Sequence, residues 1–381
     1  MTVREGGGEW LRRVPTSERG AVVADNQRVL VVNPGSTSTK VAVFQGDVLL
    51  KESLLPVGPD SAADVWDEFS VRLDGVREWL AEEGILLESM DAVVGRGGLL
   101  RPLKGGVFEV TEAMLTDARA NRQGMHASNL GGALARALAE AGTRKRESGI
   151  PAFVVDPVST DEFDPVARIS GLKEIPRRSL SHALSIHALV REVCRRENRP
   201  VLGSSFVVGH LGGGISICPV RDGLIVDASN ANSGGPFSPT RAGGLPTQEL
   251  LDLAFSGNYE EGRLRAMTLK EGGLRSYLET DDAREVEARV DAGDEEATLV
   301  FRAMAYQIAK EIGAMATVLE GRLDGILITG GLAASDLLMK WIRDRVSFIA
   351  PVDVVPEVEE MRALAQGALR VLRGEEKAKE Y

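Results

Sequence analysis

Residues 29–45, VLVVNPGSTSTKVAVFQ, decide the fold. The apolar run Val29 to Val32 predicts a buried β-strand, and the run Val41 to Phe44 predicts a second strand after a polar turn. Pro34 and Gly35 favour a tight reversal, and the small hydroxyl residues after them leave the backbone open to an anion. The P-loop sequence is absent, and a strand follows the turn instead of a helix. The stretch therefore predicts either a phosphate-handling turn or an ordinary hairpin with a polar tip.

A second stretch repeats this plan about 180 residues later. Residues 206–227, FVVGHLGGGISICPVRDGLIVD, predict a strand over Phe206 to Val208 and a glycine-rich turn over Gly209 to Gly214. Returning strands are predicted over Ile215 to Val220 and Leu224 to Asp227. A glycine triplet between strands exposes backbone N–H groups with little steric hindrance, as phosphate binding requires. Two hairpins of this kind indicate an internal duplication.

The length and composition exclude several classes of protein. A chain of 381 residues is long enough for two domains, each with its own core. Aromatic residues make up only 5% of the chain, too few for a surface that stacks single-stranded nucleic acid. The net charge of −11 argues against general nucleic-acid or anionic-membrane binding. An acidic protein that binds a nucleotide must gather its cations locally, which favours arginines and lysines in glycine-rich segments.

Targeting signals and cysteine usage indicate the compartment. No apolar stretch approaches the roughly 20 residues that span a bilayer. The first residues lack the apolar core of a signal peptide, so residues 1–27 are interpreted as a disordered extension or a misplaced start, outside the fold. Cys194 and Cys218 have no metal-type spacing and suggest no disulfide framework. A reduced, cytoplasmic compartment is the default expectation.

Two arginines and one aspartate lie where predicted strands end or loops contain many glycines. Arg96 follows the apolar run that begins at Ala92 and is flanked by glycines, and Arg241 is the only charged residue in the loop 229–246. A guanidinium can hold a carboxylate or phosphate through two parallel hydrogen bonds. The strand 150–157 ends in Asp156-Pro157, which predicts a carboxylate at the ligand-binding end of the sheet. The alternatives are exposed loop arginines and an Asx-turn cap.

Three histidines lie near predicted helix starts. His126 precedes a helix rich in small residues, and a helix N-terminus favours an anion. His182 and His187 are five residues apart, which does not align them on one helix face, so they are not an H-x-x-x-H zinc pair. We expect His182, at the helix start, to face the cleft while His187 packs or is solvated. A structural role is the alternative for each histidine.

The remaining elements follow from periodicity and glycine positions. A strand over 325–333 ends in Gly330-Gly331. The other predicted elements are helices over 61–83, 247–256, 282–320 (broken at Gly293), 335–345 and 359–372, and a strand over 346–354.

Several phrases resemble the acetate and butyrate kinase family. They are NPGSTSTK, GRGGLL, HASNLG, VVDPV, HLGGGIS and FSPTRAGGLP, and their order matches the family over nearly all of residues 29–373. The wording is closer to the butyrate kinases, because acetate kinases typically read H-L-G-N-G where this chain has Gly213. That difference implies that any phosphate contact at Gly213 comes from backbone amides.

The resemblance implies a fold and a division into lobes. The family belongs to the actin, Hsp70 and sugar-kinase superfamily, so the expected fold is α/β, with two duplicated ribonuclease-H-like domains (the actin-like ATPase fold) flanking a nucleotide cleft. The N-terminal lobe would comprise residues 28–178 and 355–381, and the C-terminal nucleotide-binding lobe residues 179–354. The family also implies a homo-oligomer.

Matching positions then imply roles for individual residues. The first phosphate loop would contain Asn33, Ser36, Ser38 and Lys40, and the second His210, Gly212, Gly213 and Gly214. The active-site arginines would be Arg96 and Arg241, the aspartate Asp156, and the cleft histidines His126 and His182. The adenosine side would contain Asp282, Arg284, Gly330 and Gly331, and the terminal glutamate associated with Mg²⁺ would be Glu360, in preference to Glu359.

The implied activity is phosphoryl transfer from ATP to butyrate or a similar short-chain acid, giving an acyl phosphate and ADP. Because the acyl oxygen is already anionic, positioning and charge stabilisation matter more than a general base. Arg96 would orient the carboxylate, Arg241 and His182 would stabilise the phosphoryl oxygens, and Asp156 and Glu360 would organise Mg²⁺. The alternatives are another acid (acetate, propionate or a branched-chain acid) and, in another class, a nucleotide switch of the actin or Hsp70 type.

Overall fold

The computed structural model describes residues 26–57, 64–144, 149–355 and 358–381. Most of the predicted extension, residues 1–27, lies outside the described residues. Its last residue, Gln27, donates a hydrogen bond from Nε2 to the carbonyl of Leu372 at 3.2 Å. Gln27 therefore packs against the end of the last helix, contrary to the prediction that it lies outside the fold.

The first sheet contains six strands. They are β1 (Arg28–Pro34), β2 (Ser38–Gln45), β3 (Val48–Pro56), β4 (Ala92–Arg96), β5 (Val107–Glu109) and β6 (Ala152–Val155), in the order β3-β2-β1-β4-β6-β5. Strands β1, β2 and β3 form an antiparallel meander, and β4 and β6 extend it in parallel with β1. The predicted opening hairpin is thus the centre of this sheet.

The second sheet repeats that topology. Its strands are β7 (Ser205–Leu211), β8 (Ile215–Arg221), β9 (Leu224–Ile225), β10 (Gly325–Thr329) and β11 (Val352–Val354), in the order β11-β10-β7-β8-β9. An antiparallel meander of β7, β8 and β9 is again extended by two parallel strands. The predicted α/β fold with a duplicated, ribonuclease-H-like unit is confirmed.

Eleven α-helices lie in the described part of the chain. They are α1 (Phe69–Glu82), α2 (Glu112–Arg119), α3 (Gly131–Thr143), α4 (Ala183–Arg196), α5 (Thr247–Phe255), α6 (Glu261–Leu269), α7 (Leu274–Leu278), α8 (Ala283–Asp291), α9 (Glu295–Val318), α10 (Asp336–Val346) and α11 (Glu360–Leu372). None of the helices in these ranges is long and apolar enough to cross a membrane.

Helices cover both faces of each sheet, which explains why the central strands are continuous apolar runs. In β1, Leu30 and Val32 pack against α1 and α3, while Val29 and Val31 pack against α11. In the second sheet, α9 and α10 cover one face and α4 the other. The C-terminal helix α11 therefore packs on the first sheet; the lobe limits at residues 178 and 355 stay predictions.

Some predicted boundaries were wrong. The residues Gly209 and His210 belong to β7 rather than to the turn, because they pair with β8 on one side and β10 on the other. The turn is therefore only Gly212–Gly214. Strand β11 is shorter than predicted because α10 continues to Val346. The predicted helix break at Gly293, where φ is +84°, is confirmed.

Candidate active site

A cavity of about 170 Å³ lies between the two sheets and brings together four of the predicted site residues. Arg96 and His126 reach it from the first sheet and its neighbouring helix, and Arg241 and His182 reach it from the second half of the chain. Its apolar wall is formed by Leu99, Val158 and Leu180. Two cations, two imidazoles and a small apolar surface thus face one space.

Close packing of glycines positions Arg96 at this cavity. A Cβ on Gly95 would collide with the carbonyl of Gly131, and one on Gly131 would collide with the carbonyl of Arg96. Asn129 Oδ1 accepts a hydrogen bond from the Leu99 amide at 2.8 Å and so fixes the turn that follows. The start of α3 therefore lies directly against the end of β4, and the phrases GRGGLL and HASNLG form one structural unit.

Glu360 pairs with Arg96. Its Oε2 is in a hydrogen-bonded ion pair with the Arg96 guanidinium and also accepts a hydrogen bond from Asn33 Nδ2 at 3.1 Å. Asn33 lies near the end of β1, and Glu360 is the first residue of α11. Asn33 and Arg96 are therefore brought together through their shared partner Glu360, a contact that the sequence did not predict.

Arg241 is held against the second hairpin. The Ser238 hydroxyl donates a hydrogen bond to the Gly213 carbonyl at 2.6 Å and accepts one from the Arg241 amide at 3.2 Å. Gly214 is needed here, because a Cβ at that position would collide with the Arg241 guanidinium. Among the described residues, no carboxylate forms an ion pair with Arg241, and burial lowers its pKa. It is a partly desolvated cation whose charge is available to a ligand.

The histidines of the cavity are neutral at neutral pH. His182 immediately precedes α4, and its ring stacks on His210 with centroids 4.0 Å apart. Burial, followed by the repulsion that a protonated His210 would exert and by the charges of Arg96 and Arg241, lowers the pKa of His182 well below its usual value. Burial also lowers the pKa of His210 to about 4, with a further contribution from Arg96 and an opposing one from Glu360. These rings therefore act as hydrogen-bonding groups, not as cations.

His126 offers a defined donor. Its pKa is lowered by burial and then by Arg96 and Arg241. Its Nδ1 accepts a hydrogen bond from the Ser128 amide at 3.1 Å. A neutral imidazole that accepts at Nδ1 carries its proton on Nε2, so His126 presents an N–H donor from that atom.

Asp156 lies away from the cavity, contrary to the prediction that its carboxylate faces the cleft. Its side chain is fully buried; it accepts a hydrogen bond from the Gly106 amide at 2.7 Å and contacts Arg191 Nη1 at 3.1 Å and His187 Nδ1 at 3.0 Å. Burial raises its pKa, but His187 and Arg191 outweigh burial and hold the pKa below the usual range. His187 and Arg191, both on α4, therefore hold the Asp156 carboxylate in the interior, away from the cavity.

His187 completes that buried cluster. Its Nε2 is 3.2 Å from Oε2 of Glu162, a residue that the sequence analysis did not single out. Burial lowers the pKa of His187, but Asp156 and Glu162 outweigh burial and raise it to about 9. The two carboxylates therefore favour the protonated form of His187, which packs inside, as one of the two sequence alternatives predicted.

A larger groove, of about 750 Å³, lies next to the turn of the second hairpin. Gly212 and Gly213 line it together with Asp282, Arg284 and Gly331. Gly330, with φ at +94°, allows the chain to approach β7 closely, since a Cβ there would collide with the Leu211 carbonyl. Two glycines of the predicted second phosphate loop therefore share one groove with three of the four predicted adenosine residues, whereas His210, Gly214 and Gly330 do not line it.

None of the four residues of the predicted first phosphate loop lines either space, although Asn33 reaches the cavity residue Arg96 through their shared partner Glu360. Ser36 and Ser38 lie at the turn between β1 and β2, and Lys40 pairs with Glu52 of β3 at 3.2 Å. Ser216 was not predicted as a site residue, yet its hydroxyl is 3.0 Å from His182 Nδ1. Its position directly opposite His210 in the hairpin register was the available signal.

The chain is similar to known carboxylate kinases in sequence and in structure. A profile of the acetokinase family matches residues 173–346. The chain is 46% identical over 357 residues to the probable butyrate kinase 2 of Caldanaerobacter subterraneus subsp. tengcongensis, covering 93% of this chain and 99% of that protein.

Two crystal structures show the same fold. One is the acetate kinase of Porphyromonas gingivalis, with a TM-score of 0.74 and 18% identity over 91% of this chain and 100% of that one. The other is a propionate kinase from Francisella tularensis subsp. tularensis, with a TM-score of 0.71 and 17% identity over 90% of this chain and 98% of that one. The duplicated fold and the nearly full-length likeness to a probable butyrate kinase lead to one conclusion: the chain belongs to the acetokinase family.

Proposed function

We propose that the protein is a short-chain carboxylate kinase that transfers the terminal phosphoryl group of ATP to butyrate, forming butyryl phosphate and ADP. The observation that carries this proposal is the convergence of Arg96 and Arg241, from the two halves of the duplicated fold, on one small cavity beside a larger groove. Two anions must meet in this reaction, and two guanidiniums offset their repulsion.

Each cleft residue has a distinct part in the reaction. The carboxylate oxygen attacks the terminal phosphorus in line as the bond to the ADP oxygen breaks, so no proton needs to be removed. Arg96 orients the carboxylate, which replaces Glu360 as its partner. Arg241, with no competing carboxylate among the described residues, stabilises the phosphoryl oxygens together with the neutral donors His182 and His126. Asp156, which lies outside the cavity, has no direct part in the transfer and pairs with His187 in the buried cluster.

Mg²⁺ fits this site only through Glu360. Among the described residues, no group of three or more His, Cys, Asp or Glu side chains is arranged to hold a metal ion. Kinases commonly bind Mg²⁺ through one or two carboxylates and the phosphates of the nucleotide. Glu360, whose side chain is 28% exposed, suits that role, whereas the fully buried Asp156 does not. When bound, Mg²⁺ would neutralise charge on the phosphates.

Two observations favour butyrate as the carboxylic acid substrate: the name of a similar protein and the apolar wall of the cavity. Leu99, Val158 and Leu180 provide an apolar surface for a short alkyl chain, and the relative that is 46% identical is named a probable butyrate kinase. One methylene is worth only about 1–3 kcal/mol in such a pocket, so neighbouring acids are expected to react more slowly but measurably.

Assays of acyl phosphate formation test the activity. Hydroxamate trapping with ATP and acetate, propionate, butyrate, isobutyrate or valerate is expected to give the highest kcat/KM with butyrate. A higher kcat/KM with acetate or a branched acid would change the substrate but keep the reaction class. ADP release that does not depend on any acid would contradict the kinase assignment and support the nucleotide switch.

We also propose a homo-oligomer that forms through an apolar face on the C-terminal half. Phe255, Tyr277 and Leu299 are 85%, 63% and 71% exposed, and the last two line an apolar groove of about 550 Å³. Exposed apolar patches of this kind mark protein interfaces.

Two free, buried cysteines, Cys194 and Cys218, support our further assignment to the cytoplasm.

Light scattering after size-exclusion chromatography tests the interface. The wild type is expected to elute as an oligomer and Leu299→Glu as a smaller species, because the substitution buries a charge in the contact. Val166→Glu is the matched control, since Val166 is 80% exposed but lies on a different segment. A monomeric wild type, or equal masses for wild type and Leu299→Glu, would contradict this interface.

A further inference from the structure

The turn between β1 and β2, residues Gly35–Ser38, accepts hydrogen bonds from the side chain of Arg72. The Gly35 carbonyl accepts from Arg72 Nη2 at 2.8 Å, and the Ser38 carbonyl accepts from Arg72 Nη1 at 3.0 Å. The Thr37 carbonyl accepts from the Val57 amide at 3.0 Å. The carbonyl oxygens of Gly35, Thr37 and Ser38 are therefore already engaged by donors of the protein.

Arg72 has every donor in use. It lies in the first half of α1 and its side chain is fully buried. Besides the two carbonyls, Nη1 donates to Thr39 Oγ1 at 2.8 Å, and Nε and Nη2 donate to Glu68 at 2.9 and 2.6 Å. A guanidinium has five N–H donors in a fixed planar fork, so it can hold both ends of the turn at once. Glu68, one helical turn earlier, neutralises its charge.

The outer side of the same turn offers donors. Ser36 and Thr37 are exposed, and their backbone amides have no hydrogen-bond partner among the described residues. Successive free amides on a turn form a concave site for an anion. Because three of its carbonyls are engaged by protein donors, the turn can present N–H and O–H groups with less of the repulsion that a free carbonyl oxygen would exert on a phosphate.

We propose that Arg72 is a positioning residue that holds the Gly35–Ser38 turn as a donor-only cradle for the phosphates of the nucleotide. The inference rests on the proposed function for the identity of the anion. It also explains why Ser36 and Ser38 belong to a phosphate site although neither lines the described cavities. Arg72 acts only through the turn, since its side chain is inaccessible to any ligand.

The alternative is that Arg72 and Glu68 merely stabilise the fold, and kinetics separate the two. Lysine at position 72 keeps the charge but has no planar fork, so Arg72→Lys is expected to release one side of the turn. We expect the Kd and KM for ATP to rise about tenfold or more, as for the loss of a charged hydrogen bond. The KM for the carboxylate should stay within about twofold, because Arg96 is untouched.

Matched variants complete the test. Arg77→Lys is the control, since Arg77 lies on the same helix but is 46% exposed and, within the described ranges, has Asp74 as its ion-pair partner. Thr39→Val removes one acceptor of Arg72 and is expected to give a smaller rise in the Kd for ATP; it is a second route if Arg72→Lys does not fold. ATP binding is measured by calorimetry without carboxylate, and acyl phosphate formation is measured separately.

The outcomes separate the inference from the proposed function. A wild type that binds ATP but forms no acyl phosphate would refute the carboxylate kinase, and a weaker ATP affinity in Arg72→Lys would still support the cradle. Unchanged ATP affinity in both Arg72→Lys and Thr39→Val, or equal rises in both KM values, would overturn the role of Arg72. A wild type that does not bind ATP would overturn both.

Discussion

Arg241→Ala is expected to lower kcat by about 10³-fold, because one preorganised charge aimed at a developing anion is commonly worth that much. Arg241 faces the small cavity, has no ion-pair partner among the described residues, and is partly desolvated, so its charge is poorly screened. The KM for butyrate should change much less, because Arg96 holds the ground-state carboxylate. Initial rates at saturating ATP, with and without the substitution, measure the effect.

Two further variants make this test specific. Arg241→Lys keeps a charge but lacks the planar fork, so we expect a kcat between those of the wild type and the alanine variant. Arg221→Ala is the control, because Arg221 is exposed at the end of β8 and pairs with Asp164 outside the cleft. A kcat for Arg241→Ala within about threefold of the wild-type value would show that Arg241 does not stabilise the transition state.

The fold was largely predictable because its repeated unit, a hairpin of two apolar strands, is encoded in two short, continuous stretches of sequence. Two apolar strands around a small-residue turn occur twice, and both became the centres of sheets. The errors occurred where long-range pairing overrides local preference. Gly209 reads as a turn residue, yet pairing on both sides keeps it in a central strand.

The site was predictable where a residue follows a strand or lies in a glycine-rich loop. Arg96 and Arg241 meet as expected, although nothing local to either segment indicates their partner. Asp156 was misplaced because its partners His187 and Arg191 come from α4, a contact that only the tertiary fold creates. Arg72 was missed although it carries a signal: it lies three residues after Phe69 and four before Val76, on the apolar face of α1.

Of the substitutions considered, replacement of His187, which lies between the buried carboxylates of Asp156 and Glu162, should reduce the stability of the fold most. His187→Leu is expected to lower the free energy of unfolding by about 3–5 kcal/mol at pH 7, because removing the shared cation leaves the buried Glu162 carboxylate without a counter-charge. Asp156 would keep Arg191, but Glu162 would lose its only side-chain cation in the cluster. Urea unfolding followed by circular dichroism measures the loss. Arg195→Ala on the same helix is the control, since Arg195 is 74% exposed and should contribute close to nothing.

The pH dependence of that loss identifies the charge state of His187. Its pKa is raised from 6.5 to about 9 in the folded protein. The stabilisation is therefore fully present below about pH 6.5, declines as the pH rises, and is lost above about pH 9. The difference in unfolding free energy between the wild type and His187→Leu should accordingly shrink by roughly 1 kcal/mol per pH unit in that window. A difference in unfolding free energy that stays constant from pH 7 to pH 9 would show that His187 stabilises the cluster as a neutral ring. Arg191 would then be the sole source of positive charge for Asp156 within that cluster.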